Sequence, residues 1–122
     1  MQIGYESAHM TAIQFRSLAL SAPGAVESEH MGHPDFRFDG KIFASLGYPD
    51  DGCGMVKLTP DQQRELVKKA AGTFAPCNGA WGERGATSVH LSSAKVGLVR
   101  VALDLAQKNV AAKKNSSCGR TR

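Results

Sequence analysis

Apolar residues at Ala8, Ala12, Phe15, Leu18, Ala19 and Ala22 recur at helical spacing, while Gln14, Arg16 and Ser17 are left for solvent. They predict a first helix over about residues 10–20. "APG" at 22–24 stops it, because Pro23 disfavours helical geometry in the residue before it and Gly24 loosens the turn. From residue 25 to 58 the period shortens to that of a β-meander. In "AVESEH", Val26, Ser28 and His30 alternate with Glu27 and Glu29. "DFRF" and "KIFASL" then flank Asp39-Gly40, the strongest hairpin signal in the chain. A two-residue turn there pairs Phe38 with Lys41 and Phe36 with Phe43, setting two phenyl rings side by side on one face. "YPDDGCG" reads as a connection in which Asp50 and Asp51 cap the local backbone, and "MVKL" resumes the sheet.

A second helix opens at "TPDQQ". Thr59 is its N-cap, Pro60 suits the first helical position, and Gln62 completes a capping box. Leu66, Val67, Ala70 and Ala71 form its apolar stripe, and Gly72 ends it. "TFAPCNGAWGERGA" reads as a long irregular loop and "TSVHL" as the last strand. Ser92 or Ser93 caps a final helix whose Leu98, Ala102, Leu105 and Ala106 face inward. On its outer face Arg100, Asp104 and Lys108 stand four apart and can pair.

The expected order is α-β-β-β-β-α-β-α. It implies an α+β fold: a two-layer sandwich with an antiparallel sheet of about five strands and helices on one face. At 122 residues, 42% hydrophobic, the chain suits one domain. That domain is expected over 1–110, with a basic, disordered tail over 111–122. The charge of +4 changes meaning once located. Lys108, Lys113, Lys114, Arg120 and Arg122 follow Asp104 with no acid among them, so residues 1–107 carry a net −1. The tail, not the body, is basic.

Cys53, Cys77 and Cys118 form no CxxC and leave an odd count, which suits reduced thiols better than a disulfide framework. "MQIGYESAHM" lacks the regions of a signal peptide, and no apolar run approaches the roughly 18 residues of a membrane span. A cytoplasmic monomer without a membrane segment is expected.

Candidate chemistry is sparse. In "SEHMGHPDFRF", His30 and His33 stand among Glu27, Glu29 and Asp35, all of them possible metal ligands. The spacing fits neither HExxH nor a zinc finger, and strand alternation sets Glu27 and Glu29 on a face that excludes His30. Convergence would need a sharp bend at Met31-Gly32, so no metal and no cofactor is expected. No nucleophile elbow, phosphate loop or catalytic set occurs, and the chain is read as a non-enzyme. The loop over 73–86 holds the single tryptophan, Trp81, among glycines that let a backbone approach closely. Trp81 either plugs the core edge or stacks on a base or aromatic group, with Arg84 meeting an anion. Arg37, Lys41 and Lys57 are the strand cations that could share such a surface.

Together, "FRSLALSAPGAVESEHMGHPDFRFDGKIFASL", "VKLTPDQQREL", "FAPCNGAWGERGATSVHL" and "LVRVALDLA" resemble the MmcQ/YjbR family over roughly residues 13–110. The resemblance implies a CyaY-like two-layer α/β fold and a bacterial source. It also implies the DNA-binding label that members often carry. Ala86 stands where relatives often have a second tryptophan, and Ala106-Gln107 where they have "AW". The acidic ridge that a likeness to frataxin-type iron proteins would require is missing.

Two functions follow as expectations. One is a DNA- or nucleic-acid-binding module using Arg37, Lys41, Lys57, Trp81 and Arg84, with DNA or another anionic partner. The other is a protein- or small-ligand-binding module without catalytic activity. A continuous basic face favours the first, and a concave apolar pocket beside Trp81 favours the second.

Overall fold

The computed structural model describes residues 10–47 and 52–119, with side chains as far as residue 111. Ala8, Asp50 and Asp51 lie outside the described residues. In chain order the elements are α1 (Ala12–Leu20), β1 (Ala25–His30), β2 (His33–Phe38), β3 (Lys41–Leu46) and β4 (Cys53–Lys57). They continue with α2 (Pro60–Lys69), β5 (Phe74–Pro76), α3 (Gly79–Glu83), β6 (Ala86–His90), a 3-10 turn (Leu91–Ser93) and α4 (Val96–Gly119). All strand pairings are antiparallel, in the order β1-β2-β3-β4-β6-β5. The fold is α+β, as expected, with six strands rather than about five. The loop expected over 73–86 is not irregular: it folds as β5, pairing with the outer side of β6, and as the short helix α3.

The starts of α1 and α2 follow from capping, whereas α4 begins only at Val96: Ser92 and Ser93, expected to cap it, belong to the preceding 3-10 turn, where the Ser93 hydroxyl donates to the Gly72 carbonyl. Thr59 and Gln62 form the capping box of α2, with Pro60 at the first position. Thr11 and Gln14 form an equivalent box at α1, each side chain bonding the other's backbone N–H at 2.8–3.1 Å. This box delays α1 to Ala12, later than the expected start. Phe15 and Ala19 enter the core while Ala12 stays exposed.

Asp39-Gly40 makes the expected tight turn, both residues at positive φ (53° and 82°). The pairing beyond it departs from expectation. Phe38 faces Lys41 and Arg37 faces Ile42, but Phe36 faces Ala44 rather than Phe43. Phe43 is the extra residue of a β-bulge, which turns the consecutive side chains Phe43 and Ala44 into the same core. Phe36 instead makes its aromatic contact with Phe15 of α1, ring centroids 6.2 Å apart and tilted by 54°.

The core lies between one sheet face and the helices α1 and α4, with Phe15, Phe36, Phe43, Val56, Phe74, Val89 and Val99 fully buried. Val99, Ala102, Leu103 and Ala106 carry the buried stripe of α4, and Leu98 and Leu105 pack at its margin. Burial of a large side chain of this kind contributes about 1.5–3 kcal/mol. Gln107 donates to the Pro23 carbonyl at 2.8 Å, fixing α4 to the turn after α1. Asn109 donates to the Lys57 carbonyl and to Gln62, at 3.0 and 2.7 Å, joining α4 to β4 and α2. The backbone of α4 is helical as far as Gly119.

One helix departs from the expected single layer. α3 sits over the opposite, outer face of the sheet, where Cys77, just before it, packs with Met55, Ala86 and Ile42. Among the described residues no helix is long and apolar enough to cross a membrane.

Candidate functional site

Strand alternation and the register place Ser28, Asp35, Ser45, Met55 and Ser88 in one cross-strand row on the outer face. Val26, Arg37 and Ile42 lie one pair further along this face in one direction, and His30 and His33 in the other. Lys57 projects from the same face two residues after Met55. The sheet forms the floor of a concavity here, and α3 supplies one wall.

The resulting cavity has a volume of about 400 Å³. Asp35, Ser45, Met55, Ile42 and Lys57 line it from the strands, His30, Met31 and His33 from the first hairpin, and Trp81 from α3. Its lining is largely apolar with a few polar groups, the composition typical of ligand sites of this size. Trp81 is 38% exposed, so it is not sealed into the core.

Asp35 is the polar centre of this floor. It is 1% exposed, and its two oxygens accept from Arg37 Nε at 2.8 Å and Nη2 at 3.1 Å. This fork-to-fork geometry is the strong form of a charge-assisted pair. The bond to Asp35 raises the pKa of the Arg37 guanidinium above its ordinary value; burial opposes this and charge attraction adds to it. Arg37 thereby neutralises a buried carboxylate.

The histidines converge after all. A tight turn at Met31-Gly32, with φ of 53° and 82°, pairs His30 with His33 across the first hairpin. Both then line the cavity together with Asp35. Glu27 does face away, and pairs with Arg16 of α1 at 2.6 Å. Among the described residues no group of three or more His, Cys, Asp or Glu is arranged to hold a metal ion.

Of the five residues singled out from sequence, Lys57 and Trp81 meet at the cavity, and Arg37 lies on the same face in its pair with Asp35. Lys41 stands opposite Phe38 and so projects from the other face. Arg84 caps the C-terminus of α3 with its N–H on the Ala80 and Trp81 carbonyls, and is not among the lining residues. Ser45, Met55 and Asp35 complete the site and were not foreseen as a group. Their common ten-residue spacing on successive strands is a signal that the sequence carries.

The loop that presents Trp81 needs its glycines. A Cβ on Gly82 would lie 1.7 Å from the Cys77 carbonyl oxygen, and one on Gly85 1.8 Å from that of Leu58. Gly85 also holds φ at +117°. From α2, Gln63 reaches this loop: its Nε2 lies 3.0 Å from the Gly82 and Ala86 carbonyls and 3.1 Å from Thr87 Oγ1.

Comparison with known proteins matches a family model described as YjbR to residues 20–111. The chain belongs to the YjbR family. The crystal structure of Deinococcus radiodurans protein DR2400, with a DUF419 domain, is similar in fold: TM-score 0.58 and 16% identity over 87% of this chain and 77% of that one. No curated protein matches. In this YjbR domain Ala86 and Gln107 have local roles. Ala86 packs beneath Trp81's loop with Met55 and Cys77, and Gln107 bonds Pro23.

Proposed function

We propose that this YjbR-family protein is a binding module without catalytic activity, and that it takes its ligand into the outer-face cavity beside Trp81. The carrying observation is the cavity itself: about 400 Å³, floored by Ile42, Ser45 and Met55 and walled by the indole of Trp81. The distribution of basic residues supports a pocket over a continuous charged face, since Arg37 is spent on Asp35 and Lys41 projects from the other side of the sheet. Titration with 2-naphthoate, followed by Trp81 fluorescence, tests the reading. One-to-one saturation is expected, and Ser45→Leu, which fills the floor, abolishes it in a protein of unchanged circular dichroism. Undiminished binding by that variant would refute it.

Nucleic-acid binding has one specific support, the placing of the Lys57 cation and the Trp81 ring at a single cavity. An unstacked base could enter there with its phosphate toward Lys57. Binding of a short single-stranded oligonucleotide, measured at two salt concentrations, tests it. Loss on neutralising Lys113, Lys114, Arg120 and Arg122, with no effect of Trp81→Ala, would place all the affinity in the tail.

A further inference from the structure

We infer that the cavity ligand is an apolar carboxylic acid, its carboxylate held between His30 and His33 and its apolar body covered by Met31. This rests on the cavity being a binding site, and it adds the chemistry that the site selects and the end at which it is read.

The first hairpin carries the selective groups. His30 and His33 are directly opposed across β1 and β2, so their side chains leave the sheet about 5 Å apart on the outer face. Both line the cavity, and among the described residues neither imidazole has a hydrogen-bond or ion-pair partner. The His33 ring leans onto Gly47, where a Cβ would come within 2.9 Å of its Nδ1, so the bare glycine gives the ring its place. Each imidazole offers at least one N–H, and a second once it is protonated. Two such donors side by side match the two oxygens of one carboxylate, in bonds that charge strengthens.

The other charges favour an acid over an amine. Asp35, the single carboxylate among the described lining residues, is matched by Arg37, and Lys57 is a cation. An ammonium group would therefore meet no uncompensated negative charge in the lining. The acid needs no contact with Lys57, which stands beyond the row of Asp35, Ser45 and Met55 on the side away from the histidines.

Met31 marks where the apolar body lies. It is a large apolar side chain at 83% exposure, and it holds φ at 53° in a turn whose first position favours asparagine or glycine. Both features are unfavourable in the free protein, yet they belong to a residue that lines the cavity. An apolar body resting on Ile42 and Met55 would bury the Met31 thioether in turn, and the flexibility of that side chain suits it to cover ligands of varied outline. Asparagine would serve the turn alone.

Trp81 is the only tryptophan, so its fluorescence reports the site directly. The full chain is titrated with 2-naphthoate, 2-naphthamide and 2-naphthylmethylamine, which share a ring system and differ in head group, with calorimetry in parallel. 2-Naphthoate is expected to bind about tenfold or more tightly than the other two. Combining His30→Gln with His33→Gln is expected to remove that preference while binding of the amide persists. Met31→Asn is expected to raise the midpoint of thermal unfolding by about 2–5 °C and to weaken all three ligands about fivefold. Equal or tighter binding of the amide or the amine to wild type overturns the inference while the cavity still binds. So does an acid preference that survives in the double histidine variant, or an affinity that Met31→Asn leaves unchanged. If none of the three binds, the cavity reading falls with it. The wild-type ranking decides the matter even where a variant fails to fold.

Discussion

The side-chain amide of Gln63 donates at 3.0 Å to the backbone carbonyl of Gly82, so the buried face of α2 holds the loop that presents Trp81. Its two N–H groups serve three acceptors, Gly82, Ala86 and Thr87. Gln63→Leu leaves these buried oxygens without that donor and is expected to cost about 1–3 kcal/mol in urea unfolding. In the folded variant the Trp81 emission should move to the red as the loop loosens. Unchanged stability together with unchanged emission would show that Gln63 does not position the loop.

The glycines of the same loop give a sharper contrast. Gly82→Ala forces a carbon against the Cys77 carbonyl, and a contact of 1.7 Å cannot be relieved without moving backbone. Loss of several kcal/mol or failure to fold is expected, as for other overpacked sites, where cost is typically about 1–3 kcal/mol and sometimes more. At Gly72 a Cβ meets nothing within 4 Å, and φ lies outside the left-handed range. Gly72→Ala should be neutral or stabilising by about 0.4–1 kcal/mol. Thermal unfolding of the two variants side by side checks both.

Part of this was legible in the chain itself. Thr59-Pro60 with Gln62, the Asp39-Gly40 turn and the family motifs are local signals whose chemistry acts within a few residues. Face assignment is less local. The turn that pairs Phe38 with Lys41 already puts Lys41 on the side opposite Arg37, so that misplacement could have been avoided from the register alone. The bulge at Phe43 could not, since nothing in "KIFASL" marks the extra residue. Nor could the Met31-Gly32 turn, where a methionine holds positive φ and brings the histidines to the cavity. β5 is three residues long and exists through its pairing with β6, a tertiary cause that a reading of "FAP" does not contain.

The Asp35–Arg37 pair predicts an asymmetry. Arg37 is about a third exposed, its side chain at 32%, while Asp35 is at 1%. Removing the arginine strands a charge inside, whereas removing the aspartate leaves a cation that can turn to solvent. Arg37→Met is therefore expected to destabilise more than Asp35→Asn. Urea denaturation of the two single variants and the double variant measures the difference. Equal losses from both singles would mean that Asp35 reaches water without its partner.

Cys77 supplies a prediction in pH. Its thiol is pushed up to about 11, first by burial and then by the nearby Cys53, from an ordinary value of 9.0. The folded state therefore keeps the neutral thiol at a pH where the unfolded chain has released that proton. Its contribution to stability is complete below about pH 9 and declines as the pH rises toward 11. The difference in unfolding free energy between wild type and Cys77→Ala isolates this from lysine and tyrosine titration, and should slope downward only in that window. Because the thiolate is the reactive form, iodoacetamide should label Cys77 in the folded protein far more slowly at pH 8 than it labels a free thiol. Urea should restore the rate. Labelling of folded Cys77 at the free-thiol rate would contradict both the burial and the shift.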